Sequence, residues 1–156
     1  MNDETALLEA IDLARNHSAD GSNGPFGSVV VHDGRVVGRG WNRVVEESDP
    51  TAHAEVVAIR DACLSLGTHV LDDCTIYCSS EPCPMCLSAI YWARIPRVVF
   101  ACTHDDARAA GFDDSHIQRE VAAAWSERSL EWVHRPTAEG AAVLRSWKEN
   151  PDRIDY

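Results

Sequence analysis

Apolar side chains at Leu7, Leu8, Ile11, Leu13 and Ala14 recur near the period of a helical turn, which predicts an amphipathic helix over about Glu4 to Ala19. Gly21-Ser22-Asn23-Gly24-Pro25 breaks that pattern. Phe26 to His32, with the β-branched run Val29-Val30-Val31, reads as a strand. Asp33-Gly34 is a two-residue hairpin turn, because both residues tolerate the positive φ such turns need, and Arg35 to Arg43 returns as the second strand. Glu46 to Thr51 is a polar connection. The helical period then resumes at Val56, Val57, Ile59, Ala62, Cys63 and Leu66, with a start near Thr51 or Ala52 and a stop at Gly67. Cys74 to Cys78 predicts a short strand. Pro82 and Pro84 suit the first turn of a helix running to about Ala93, and Arg97 to Ala101 predicts a further strand. Residues 103 to 116, rich in Asp and His, read as a loop before a helix near Ser115 to Ala124. A last strand over Leu130 to His134 and a helix over Thr137 to Lys148, ended by Asn150-Pro151, complete the pattern.

A hairpin followed by alternating helices and strands implies a mixed sheet covered by helices on both faces. With 156 residues and no repeat, low-complexity tract or linker, one three-layer α/β/α domain over residues 1–156 is the expectation, with 150–156 as a tail. The longest apolar runs fall far short of a bilayer span, and the N-terminus lacks the pattern of a secretion signal, so a cytoplasmic protein is expected.

Composition narrows the chemistry. Net charge is −11 and Lys148 is the only lysine, so a polyanion such as DNA or RNA would meet a repulsive field, whereas a small neutral molecule would not. Six cysteines in a cytosolic chain stay reduced. Cys63, Cys74, Cys78 and Cys102 are expected to pack as small hydrophobes.

Cys83 and Cys86 belong to a different pattern. Thr51-Ala52-His53-Ala54-Glu55 is followed downstream by Glu81-Pro82-Cys83-Pro84-Met85-Cys86. His53, Cys83 and Cys86 suit a zinc ion, and three protein ligands leave one position for water, the arrangement of a hydrolytic rather than a closed structural site. His53 and Cys83 both fall at predicted helix starts, where free N–H groups favour thiolates. Cys83 and Cys86 share one helical face. A fourth ligand from His104, His116 or Cys102 has no tight spacing to the first three. A redox reading of Cys-x-x-Cys leaves His53 and Glu55 unexplained. Glu55, two residues beyond His53 in a first turn, is placed to carry protons, with a carboxyl expected to titrate high through burial and nearby thiolates.

These two motifs resemble those of the cytidine-deaminase-like superfamily of zinc hydrolases. Asn23-Gly24-Pro25-Phe26-Gly27, Trp41-Asn42, Ala89-Ile90-Tyr91-Trp92-Ala93-Arg94, Gly111-Phe112-Asp113-Asp114-Ser115 and the terminal Asp155-Tyr156 resemble its bacterial guanine deaminase branch. The resemblance implies a mixed sheet of about five strands and a zinc cofactor. It implies hydrolysis of guanine to xanthine and ammonia, with Glu55 catalytic. It also implies a homodimer with exchanged C-terminal segments, in which Tyr156 enters the partner's site as part of a lid. Substrate contacts would come from Asn42, Phe26, Ala54, Trp92, Asp114 and Tyr156. In this reading Phe26 and Trp92 stack on the base and Asn42 reads its edge. Asp114 accepts from ring N–H groups or carries a second proton. Asp114 equally suits a cap on the following helix, and Asp113 suits the same role. The rivals are deamination of cytosine, guanosine or a triazine analogue, tRNA adenosine deamination, and a zinc-stabilised interaction protein without activity.

Overall fold

The computed structural model describes residues 1–155. It divides into two compact units, Met1–Val121 and Ala122–Tyr156. In the first unit, α1 spans Asp3–Ser18 and begins where the Asn2 side chain accepts from the Thr5 N–H at 2.8 Å. Strands β1 (Gly27–His32) and β2 (Arg35–Trp41) form a hairpin. Its turn residues Asp33 and Gly34 have φ of 47° and 71°, as the sequence predicts. There follow α2 (Val44–Glu47), α3 (Ala54–Leu66), β3 (Cys74–Ser80), α4 (Pro84–Trp92), β4 (Arg97–Cys102), α5 (His104–Ala109) and α6 (Ser115–Ala122). Gly67 closes α3 in the left-handed region, its N–H bonded to the Cys63 carbonyl.

The strand order is β2-β1-β3-β4. β1 runs antiparallel to both neighbours, and β3 and β4 are parallel, joined through α4. Alternation along the strands sends successive side chains to opposite faces. Val29, Val31 and Tyr77 pack with Ala6 and Ala10 of α1. Val30, Ile76 and Cys78 pack with Ala58 and Ala62 of α3 and Ile90 of α4.

α3 packs on β2 at backbone distance, as α1 does on β1 at Gly27. A Cβ on Gly38 would lie 2.3 Å from the Ala58 carbonyl oxygen, and one on Gly40 would lie 2.1 Å from that of Ala54. The helix thus rests on the strand backbone itself, through a stripe of Ala54, Ala58 and Ala62, all buried. Only glycine on the strand and alanine on the helix allow this approach. It fixes the first turn of α3, which carries His53 and Glu55.

Several expectations are corrected. Among the described residues the sheet has four strands, not about five. Leu130 to His134, expected as a strand, has no regular structure: alternation of side chains alone does not make a strand. The polar connection after β2 includes the short helix α2, and residues 104–109 form α5 where a loop was expected. A capping box starts α5: Thr103 Oγ1 accepts from the Asp106 N–H, and Asp106 accepts from the Thr103 N–H at 2.8 Å. Cys74 and Cys78 are buried as expected, but Cys102 is exposed. The second unit holds a 3-10 turn at Trp125–Glu127 and α7 (Ala138–Glu149), capped by Thr137. Among the described residues no helix is long and apolar enough to cross a membrane.

Substituting Gly40 tests whether this contact positions the first turn of α3. Gly40→Ala should destabilise the fold by about 1–3 kcal/mol, as overpacking does, and should weaken metal retention at His53. Denaturant unfolding with metal analysis checks both. Unchanged stability would show that α3 is free to shift.

Candidate active site

Two helix starts converge on one point. His53 is the N-cap of α3 and Cys83 the N-cap of α4, both with extended backbone and neither using its side chain as a cap. Pro84 occupies the first turn of α4, where its missing N–H costs nothing. Their side chains are therefore free for chemistry. The Nδ1 of His53 lies 3.6 Å from Cys83 Sγ and 3.5 Å from Cys86 Sγ. A tetrahedral zinc with bonds of about 2.3 Å to sulfur and about 2.1 Å to nitrogen separates such ligand atoms by about 3.6 Å. All three ligand atoms lie within 4.8 Å of one another, and among the described residues no fourth His, Cys, Asp or Glu joins them. His104, His116 and Cys102 stand outside that group.

The electrostatics of the group are mutual. A hydrogen bond from the Cys86 thiol, and then one from His53, bring the Cys83 thiol down to about 4. The same contact and burial push Cys86 up. The bond to Cys83 raises His53 against its own desolvation. Glu55, buried in the first turn of α3, has its carboxyl raised, first by desolvation and then by the charge of Cys83. A carboxyl raised in this way is more readily protonated than an exposed one, which suits proton transfer.

Beside these groups opens a cavity of about 530 Å³. His53, Cys83 and Glu55 line it, with Phe26, Asn42 and Asp114 among the residues foreseen from sequence. Asn42 is held by its N–H to the Phe26 carbonyl at 3.0 Å. Phe26 meets Phe112 edge to face, with centroids 4.9 Å apart. Asp113 and Asp114 divide the roles at the start of α6. Asp113 Oδ1 accepts from the Ser115 N–H at 3.0 Å and from the Ser115 hydroxyl. Asp114 Oδ1 accepts from Gln118 Nε2 at 2.9 Å, while its Oδ2 is buried with no hydrogen bond.

Other foreseen residues lie elsewhere. Ala54 is buried in the first turn of α3 and does not line the cavity. Trp92 is 73% exposed and, with Ser88 and Tyr91, lines a separate depression of about 300 Å³. Tyr156 lies outside the described residues. Sequence reasoning missed Ser80, Glu81, His104 and Phe112 as cavity residues. The Thr103-x-x-Asp106 capping signal was available to place His104 on a helix start.

Residues 1–102 match the family model described as the cytidine and deoxycytidylate deaminase zinc-binding region. The chain is 46% identical to a guanine deaminase of Bacillus subtilis (strain 168) over 156 residues, all of both chains. It is 40% identical over 118 residues to a tRNA-specific adenosine deaminase of Haemophilus influenzae, covering 72% of this chain and 68% of that one. Among solved structures, the X-ray structure of guanine deaminase from Bacillus subtilis superposes with a TM-score of 0.95, covering 100% of this chain and 99% of that one at 46% identity. Guanine deaminase from Nitrosomonas europaea gives a TM-score of 0.66 at 34% identity, over 70% of this chain and 64% of that one.

Metal binding here must displace protons. His53 titrates above its usual 6.5 and Cys86 above its usual 9.0, so both release protons when they become ligands. Zinc affinity should therefore fall as pH drops through the raised His53 range and rise toward alkaline pH, as read by competition with a chromogenic chelator. His53→Ala or Cys86→Ser should each abolish stoichiometric zinc. A pH-independent affinity would exclude these ligands.

Proposed function

The chain belongs to the family that carries the cytidine and deoxycytidylate deaminase zinc-binding region, and from that premise we propose that it hydrolyses guanine to xanthine and ammonia. The observation that carries this reading is the full-length likeness to guanine deaminase, joined to a cavity that sets Glu55 beside His53 and Cys83. His53, Cys83 and Cys86 would hold a zinc ion, and that ion would supply the acidity of a bound water. Glu55 takes a proton from that water as it adds to C2 of the purine. It passes that proton to the ring nitrogen, then carries the remaining hydroxyl proton to the amine as the C2–N bond breaks and the C2 carbonyl forms, so one water is consumed and one ammonia released. Its raised carboxyl suits both directions of transfer.

Phe26, braced by Phe112, offers an aromatic face for the base. The Asn42 amide offers a donor and an acceptor to its edge. Asp114 Oδ2, buried without a hydrogen bond, suits a purine ring N–H as partner. Asp113 is already engaged with Ser115, which favours Asp114 for this role.

The tRNA reading is weaker. Its relative matches 72% of the chain rather than all of it, and net charge is −11 with a single lysine.

A homodimer with exchanged C-terminal segments is part of the proposal. No described residue from 122 onward is buried, and Trp125, Leu130, Val143 and Leu144 are exposed apolar side chains of the second unit. A monomer rarely leaves so much apolar surface to water. Tyr91 and Trp92 are each 73% exposed as well, which suits a contact beyond their own chain. In this reading the tail over 150–156 brings Tyr156 to the partner's cavity and shuts out water. The covering of the sheet by α1 on one face and α3 with α4 on the other fits a three-layer sandwich. Six unpaired cysteines suit a reducing, cytoplasmic setting.

Glu55→Gln should keep zinc and lose about 10²–10⁴-fold in kcat for guanine. Ammonia release across guanine, adenine, cytosine, guanosine and an anticodon stem-loop tests the substrate; release from the stem-loop but not from guanine would reverse the choice. The exchange has its own test. Protein truncated before Asn150 and full-length Glu55→Gln protein should each be nearly inactive, yet recover activity when refolded together. No recovery on mixing would mean that each tail serves its own chain.

A further inference from the structure

We propose that His104 is a positioning residue for this reaction, holding the Asp114 carboxylate toward the cavity by bridging it to Glu81. The inference rests on the guanine deaminase reading above. Glu81 lies in the loop after β3, His104 opens α5, and Asp114 precedes α6, so three separate segments meet at one imidazole. Nδ1 of His104 stands 3.4 Å from Asp114 Oδ2, and Nε2 stands 3.6 Å from Glu81 Oε1. Both ring nitrogens thus face carboxylates.

The backbone on either side is pinned. The His104 N–H donates to Glu81 Oε2 at 3.1 Å, and the Glu81 N–H donates to the Cys102 carbonyl at 2.8 Å. The Thr103 and Asp106 capping box fixes the first turn of α5. His104 is therefore a rigid post rather than a surface side chain, and all three groups line the same cavity.

Asp114 needs such a post. Gln118 holds only its Oδ1. Its Oδ2 has the imidazole beside it but no hydrogen bond of its own, so a substrate N–H finds it both oriented and free. Without His104, rotation of the carboxylate about its own bond would turn Oδ2 out of the cavity. Glu81 orients the ring from the far side, much as an outer carboxylate orients a functional histidine.

Two conservative variants separate the contacts. An Asn amide nitrogen mimics Nδ1, and a Gln amide nitrogen mimics Nε2. His104→Asn keeps the Asp114 contact and should bind guanine within about threefold of the parent. His104→Gln keeps only the Glu81 contact and should bind about tenfold more weakly. Guanine binding is read by calorimetry in the Glu55→Gln background, with zinc content measured, and KM and kcat are read with Glu55 intact. In an Asp114→Asn background the difference between the His104→Asn and His104→Gln proteins should shrink below about twofold, because the group being positioned has changed. Equal affinity of the two variants, or a difference that persists undiminished in the Asp114→Asn background, overturns the proposal and leaves His104 a structural stitch. Failure of the parent protein to bind or deaminate guanine is a different result, and it overturns the reading beneath.

Discussion

The contact between α3 and β2 is the constraint from which the site follows. Backbone meets backbone there because Gly38 and Gly40 have no side chain and Ala54, Ala58 and Ala62 have only a methyl. A packed interior does not deform smoothly, so this approach leaves the helix one seat. That seat puts His53 within reach of thiols thirty and more positions away, Cys83 and Cys86, delivered by the turn after β3. The metal group is therefore set by packing on one side and by a proline-marked helix start on the other. Neither half could place the ligands alone.

The same first turn resolves a difficulty at Glu55. Residues two apart on a regular helix point to different sides. Here His53 is the N-cap, with ψ of 155°, and so stands outside the helical spiral while Glu55 stands inside it. The break in regularity lets both face the cavity. Burial then raises the Glu55 carboxyl, so one packing decision places both the candidate ligand and the proposed proton carrier. Stability and chemistry share the same residues at this point.

How much of this was legible in the sequence follows from how local each signal is. The hairpin turn, Gly67 and the two metal motifs are encoded within a few residues each, and the structure has them where the pattern puts them. The reading of Leu130 to His134 as a strand failed because alternation alone cannot supply a neighbour to pair with. α2 is a four-residue helix, too short for a period to be seen. α5 was hidden by its polar composition, although Thr103 and Asp106 mark its start. His104 and Glu81 were invisible as cavity residues for a different reason: twenty-three positions separate them, and only the seating of α5 beside the loop after β3 joins them.

Charge then decides what such a cavity will accept. Glu81, Asp113 and Asp114 line it, with no lysine or arginine among its described lining residues. A phosphate group would enter against those carboxylates and against the net charge of the whole chain, with no guanidinium to receive it. A neutral base meets none of that repulsion. In the proposed reading its ring N–H groups would meet acceptors and its face would meet Phe26. The discrimination thus comes less from any single attractive contact than from what the acidic wall rejects. An oriented acceptor at Asp114 would then distinguish among neutral bases by the protons they carry, because a base without a donor at that edge leaves the buried oxygen unpaired.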